Sequence, residues 1–380
     1  MNIQTKLPNV TTTIFTVMSK MASDYGALNL SQGFPNFESD PELIALVLRA
    51  MEDGYNQYAP MAGDLELRER IAKKMHTCYG RNYNPETEIT MTAGATQAIF
   101  TAIAAMIHKG DEVIIFTPAY DCYEPAIELF GGITVPVQLN SPDYSVDWEE
   151  VSSKISEKTK MIIINSPHNP SGMIFSKEDM LQLQSLAEEN DLFVLSDEVY
   201  EHIIFDGQQH QSAARFPQLS KRTFITASFG KTFHNTGWKM GYCIAPELLM
   251  KEFQKVHMYN VFCVNHPIQK ALATYLKEPE HYLHLSSFYQ QKRDFFLKHL
   301  EGSSFKYRPS RGTYFQLLDF SDISDESDVD FAERLTKEFK IATIPTSVFN
   351  KNKIDFKQIR ICFAKTDATI EEAAKILKQF

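Results

Sequence analysis

The chain has little cysteine, no long apolar run and a deficit of positive charge, and each scarcity narrows what it can be. Its five cysteines in 380 residues (Cys78, Cys122, Cys243, Cys263, Cys362) are odd in number, scattered, and form no CxxC pair. A disulfide framework or a thiolate metal site needs paired spacings. These therefore read as reduced, mostly structural thiols of a cytoplasmic protein, and no metal centre is expected. No apolar stretch approaches the ~18 residues that a membrane span requires. The opening MNIQTKLPNV lacks a basic segment followed by an apolar core, so no secretory signal is expected either. Lys and Arg number 38 against 48 Asp and Glu, a formal net charge of -10. That balance argues against nucleic acid or an anionic membrane surface as the main partner. Repeats, low-complexity tracts and long Gly/Ser linkers are also missing.

What is there is enough apolar residue, 43%, to bury a large core in two or three domain-sized units. From about Tyr58 to Ala245 the runs DEVIIF, MIIIN, LFVLS, TFITA and GYCIA are short and almost wholly apolar, as strands buried on both faces of a mainly parallel sheet should be. Helical stretches such as KEDMLQLQSLAEEN separate them. The alternation predicts an α/β fold with right-handed crossovers. After about Lys277 a long polar helix (HYLHLSSFYQQKRDFFLKHL) leads to the strand GTYFQLL, the helix DVDFAERLTKEF, the short strand IATIP, the strand KQIRICF and a terminal helix, which predicts a smaller α+β domain. The first ~40 residues carry too little regular pattern to fold alone, and are expected to pack on one of the two.

Ligands of open α/β sheets sit outside the carboxyl ends of the strands, so the residues just past each apolar run are the candidates. Gly230-Lys231-Thr232 ends like a P-loop, but the glycine that motif needs five positions earlier is Ile225, which removes that reading. After EITMT comes Ala93-Gly94-Ala95-Thr96-Gln97, either a helix-opening phosphate cradle or a plain turn with Thr96 as N-cap. After DEVIIF stands Tyr120, able to stack on a planar ring or simply to pack. After MIIIN the loop Ser166-Pro167-His168-Asn169-Pro170-Ser171-Gly172 can point the Asn169 amide into a cleft or use it in a turn. After LFVLS comes Asp197-Glu198-Val199-Tyr200, whose aspartate needs a cation or strong donor if buried, or caps the next helix. After TFITA come Ser228, Lys231 and Lys239, and KQIRICF carries Arg360 inside an apolar strand, for a carboxylate or a structural ion pair.

Each signal is modest by itself. Together they supply the parts that hold pyridoxal 5'-phosphate and an α-amino acid. In the order LSQGFPNF, NQYAP, TAGATQAI, PAYDCYEPA, NSPHNPSG, SDEVYEHI, SFGKTFHNTGWKMGY, RGTYF and IRICFAK, the sequence resembles the fold-type I, class I pyridoxal-phosphate aminotransferases over nearly its whole length. It is most similar to the methionine aminotransferases, near the kynurenine–oxoglutarate group.

The resemblance implies a large cofactor-binding domain over 45–277, with a central, mostly parallel mixed sheet flanked by helices. It implies a smaller α+β domain from 1–44 and 278–380. It makes Lys231 the Schiff-base lysine and proton shuttle, Asp197 the partner of the pyridine nitrogen and Tyr200 the phenol beside the ring oxygen. Tyr120 stacks on the ring. Gly94, Ala95, Thr96, Ser228 and Lys239 hold the phosphate, with lysine at 239 where many relatives carry arginine. Tyr58 reaches the site of the neighbouring subunit in a homodimer. Arg360 clamps the substrate carboxylate with Asn169, which also contacts the cofactor, and the Gly33 backbone, while Phe15 and Tyr314 line the side-chain pocket. The expected reaction is ping-pong transfer of an amino group from methionine, or another apolar or aromatic amino acid, to a 2-oxo acid. The alternative is a kynurenine- or glutamine-type aminotransferase with C–S lyase activity on cysteine conjugates. A transcription regulator of the same fold would carry an added DNA-binding domain and is disfavoured.

Overall fold

The apolar runs do form the central sheet. In the computed structural model, which describes residues 3–380, seven strands lie in the order Ile89–Thr92, Gly241–Ile244, Thr223–Ser228, Phe193–Asp197, Thr159–Asn165, Glu112–Thr117 and Ile133–Gln138. All neighbours are parallel except Gly241–Ile244, which runs antiparallel to both of its partners. The edge strand ITVPVQ is not visible as an apolar run. Pro136 interrupts it and Ile133 is exposed, both of which an edge position tolerates.

Helices cover the sheet where the sequence periodicity puts them. Lys177–Glu189 opens with a capping box between Ser176 and Asp179 and buries Met180, Leu183 and Ala187. Ala95–Met106 runs across several strands of the sheet, burying Ala98, Ile99, Ala102 and Ile103. Small residues on that face let it pack close, and its N-terminus reaches the carboxyl ends of the strands.

The C-terminal part has its own antiparallel sheet, ordered Ile344–Pro345, Gln358–Cys362, Phe315–Asp319. The run IATIP is divided between two sheets, since Ile341–Ala342 pairs in parallel with Leu28–Asn29 near the N-terminus. The polar helix breaks at His284 into Glu280–Leu283 and Leu285–Leu300. The opening segment is more regular than expected. Ile14–Tyr25 is an amphipathic helix with Thr13 as N-cap and Gly26 in the left-handed region as C-cap, and it packs on the helix Asp328–Glu338. No helix among the described residues is long and apolar enough to cross a membrane.

Candidate active site

The strand ends and the loop before Pro41 enclose a cavity of about 290 Å3. One end of it is built by the backbone. Gly94 takes φ 78°, a left-handed value that favours glycine, and opens the helix Ala95–Met106 with no side chain capping it. Thr96 is therefore not the N-cap. A Cβ added to Gly94 would lie 3.3 Å from Lys239 Nζ. An ammonium thus stands over an uncapped helix N-terminus, a combination that attracts an anion. Ser228 ends its strand as N-cap of the short helix Phe229–Thr232, its Oγ accepting from Lys231 N at 3.4 Å, and also lines the cavity.

At the other end Asp197 closes the strand Phe193–Asp197, 3% exposed. Tyr123 donates its hydroxyl to Asp197 Oδ2 at 2.5 Å. Burial pushes this carboxyl up to about 6, against the lowering effects of Tyr123 and Lys231. A carboxylate on the wall of a cavity at that value can share a proton with a ring nitrogen. Tyr123 was not singled out in the sequence. Its signal was its place three residues after Tyr120, where the loop turns into the helix Tyr123–Leu129.

Lys231 lies between the two ends. Its Nζ donates to Gly33 O at 2.9 Å and sits 5.8 Å from the centroid of the Tyr200 ring. The amine still meets the open cavity, yet protein surrounds it, and that desolvation lowers it to about 8. Tyr200 is buried edge-on to Tyr314 and Phe315, at 5.2 and 5.9 Å, and burial raises its phenol. Tyr120 lines the cavity and meets Tyr123 at 5.9 Å.

Arg360 is 1% exposed, in the strand Gln358–Cys362. It donates to Asn169 Oδ1 and to Ser31 O, each at 2.7 Å, and its guanidinium lies 3.9 Å from the Phe315 ring and 5.2 Å from that of Phe15. Its Nε has no partner. No carboxylate pairs with it among the described residues, so the structural ion pair that the sequence left open is not formed.

One expected residue stands differently. Tyr314 is wholly buried and does not line the cavity; its hydroxyl donates to Gly33 O at 2.6 Å, and the next residue, Phe315, presents its ring instead. Tyr314 stands just before the strand Phe315–Asp319, directly after Thr313 at φ 65°, so the turn and not the strand sets where its side chain goes. Gly33 lines the cavity with its carbonyl accepting from Lys231 and Tyr314, so that its N–H is the backbone group it can offer a carboxylate. Tyr58 is 81% exposed against Phe262 and lies outside this chain's cavity.

A sequence profile described as aminotransferase class I and II matches residues 25–377. The chain belongs to this family of aminotransferases. It is 48% identical to the methionine aminotransferase of Escherichia coli (strain K12), over 99% of this chain and 98% of the relative. It is 34% identical to a kynurenine–oxoglutarate transaminase of Dictyostelium discoideum, over 93% and 91%. Among solved structures, YbdL of Escherichia coli, identified with a methionine aminotransferase function, superposes with a TM-score of 0.98 at 47% identity over all of both chains. A single mutant of the aspartate aminotransferase of Thermus thermophilus gives 0.91 at 28% identity, over 100% of this chain and 99% of that one. The aminotransferase thus has fold type I of the pyridoxal-phosphate enzymes, and its family is pyridoxal-phosphate-dependent and works by a ping-pong mechanism.

Proposed function

We propose that this aminotransferase binds pyridoxal 5'-phosphate through Lys231 and takes its amino group from L-methionine or from aromatic amino acids. The observation that carries the reading is the charge inventory of the cavity. Its cationic side chains are Lys231, Lys239 and Arg360, and its anionic one is Asp197. With Lys231 joined to the cofactor, Lys239 facing the uncapped helix and Arg360 facing a carboxylate, no cation among the described residues of the lining remains for a second carboxylate on the donor. The wall near Arg360 is instead aromatic, from Phe15 and Phe315. An apolar or thioether side chain fits that wall and an acidic one does not.

The residues fit the cofactor. When bound, pyridoxal phosphate supplies an aldehyde that takes up the amine and a ring that draws electrons from Cα. Lys239, the Ala95 and Thr96 amides and the Ser228 hydroxyl bind its phosphate. Asp197, pinned by Tyr123, holds the proton on its ring nitrogen, Tyr200 offers its phenol to the ring oxygen, and Tyr120 stacks. Lys231 needs an amine that is neutral part of the time, and a value near 8 provides one at neutral pH. Once free, Lys231 Nζ accepts the Cα proton. Arg360 and Asn169 grip the carboxylate, and that grip orients the Cα–H bond.

The same reading takes 45–277 as the cofactor-carrying domain and 1–44 with 278–380 as the small one. Tyr58, exposed beside Phe262, reaches the phosphate of a second copy in a homodimer. Incubation of the purified enzyme with L-methionine and a 2-oxo acid tests the reading. Formation of 4-methylthio-2-oxobutanoate, detected by mass spectrometry, is expected; turnover of aspartate in preference to methionine would contradict it.

A further inference from the structure

Behind the cavity lies a buried polar cluster that the chemistry above does not use. Lys74 and Glu201 form an ion pair at 2.5 Å, with both side chains 5% exposed. Tyr79 donates to Glu201 Oε2 at 2.5 Å, and Tyr242 donates to Oε1 at 2.9 Å while accepting from Lys74 at 2.7 Å. Taking two charges out of water is costly, and apolar residues of similar size often serve stability as well. The arrangement calls for a role beyond holding the fold together.

The elements it joins suggest the role. Glu201 directly follows Tyr200. Two residues before Tyr200, Glu198 is held in the same way by Ser196 Oγ at 2.7 Å, Ala213 N at 3.0 Å and His210 Nε2 at 2.8 Å. The turn that presents Tyr200 after Asp197 is thus fixed on both sides by buried carboxylates. Tyr242 directly follows Gly241, whose strand backs the opposite end of the cavity. A Cβ on Gly241 would lie 3.0 Å from Ala95 N and 2.6 Å from Ala227 O. One carboxylate therefore ties the Asp197–Tyr200 end to the Gly94–Lys239 end, with Lys74 and Tyr79 of the helix Leu65–Tyr79 as the brace.

From this juxtaposition we infer that Glu201 is a positioning residue: gripped by Lys74, Tyr79 and Tyr242, it sets the separation between the anion-binding end and the Asp197 end of the cavity. The inference rests on the proposed cofactor reading. A rigid ligand carrying a phosphate at one end and a ring nitrogen at the other is sensitive to that separation; a ligand that fills only one end is not.

The test uses three probes on the apoprotein: pyridoxal phosphate, pyridoxal and inorganic phosphate. Tyr242→Phe and Tyr79→Phe each remove one hydroxyl, and the pair Lys74→Met with Glu201→Gln removes both charges together, so that neither is left buried alone. The inference predicts that the paired variant raises the Kd for pyridoxal phosphate about tenfold, as loss of a supporting contact does at other sites. The single hydroxyl variants raise it less, and pyridoxal and phosphate affinities stay within about twofold of wild type in every variant. Equal weakening of all three probes, or an unchanged Kd for pyridoxal phosphate alongside a lower Tm, would overturn it and leave the cluster a structural one. If the paired variant does not fold, the two tyrosine variants decide by the same comparison. Failure of wild type itself to bind pyridoxal phosphate would overturn the cofactor reading, and this inference with it.

Discussion

Asn169 and Arg360, 191 residues apart in the chain, meet at 2.7 Å through Asn169 Oδ1 and an Arg360 Nη. The contact joins the turn after a central strand to the C-terminal sheet, and it holds the guanidinium plane with its Nε free. Only a planar fork can grip a carboxylate bidentately from there. Arg360→Lys should therefore raise the KM for methionine by about 100-fold, while the absorption of the bound cofactor is unchanged. Asn169→Ala should cost less. Steady-state kinetics with an unaltered spectrum checks both; an unchanged KM in Arg360→Lys would remove the clamp.

Asp197 gives a pH signature in the apoprotein. Burial raises its folded value to about 6 from the usual 3.8, so the folded carboxyl holds its proton more tightly than the unfolded one. The cost to stability is fully present above about pH 6 and fades as the pH falls through 6 toward 3.8. Asp197→Asn, which keeps an acceptor for Tyr123, should melt a few °C above wild type at pH 7.5. The gap should close on acidification. Calorimetry across that range checks the sign, and a gap that widens as the pH falls would refute it.

Lys231 should show its lowered value in the rate at which the apoprotein takes up cofactor. Its amine becomes neutral near pH 8 because protein surrounds it. The rate of appearance of the cofactor band should rise with pH and level off above that point. An ordinary surface lysine would keep rising toward its usual value of about 10.4.

The fold was legible in the sequence wherever a residue's neighbours along the chain settle its surroundings. MIIIN, LFVLS and TFITA are buried on both faces and need no context to be recognised as strands. Pro136 hides an edge strand because only its position makes the proline harmless, and the helix Ile14–Tyr25 was missed because its apolar stripe answers to Asp328–Glu338, far away in sequence. The site divides in the same way. Asp197, Ser228, Lys231 and Arg360 stood at strand ends or inside apolar runs and could be named. Tyr123 could not, since its hydrogen bond to Asp197 depends on how the start of one helix meets the end of a distant strand. Tyr314 and Phe315 were exchanged because Tyr314 lies in the turn before the strand Phe315–Asp319, where no periodicity tells which side chain reaches the cavity.

Substrate range follows from the aromatic wall. Aspartate and glutamate would set a second carboxylate against Phe15 and Phe315, with no further cation among the described residues lining the cavity to pair it. Their kcat/KM should fall below that of methionine by about 100-fold or more. Parallel assays with 4-methylthio-2-oxobutanoate and oxaloacetate as products measure this ratio. A ratio near one would require a cation at the wall.

Lys231, and not Lys239, is the lysine we propose to carry the cofactor. Reduction of the pyridoxal-phosphate-loaded enzyme with borohydride, followed by peptide mapping by mass spectrometry, tests it directly. The account predicts one stable cofactor adduct, on Lys231, and its absence from Lys231→Ala. An adduct on Lys239, or none on a fully loaded enzyme, would contradict it.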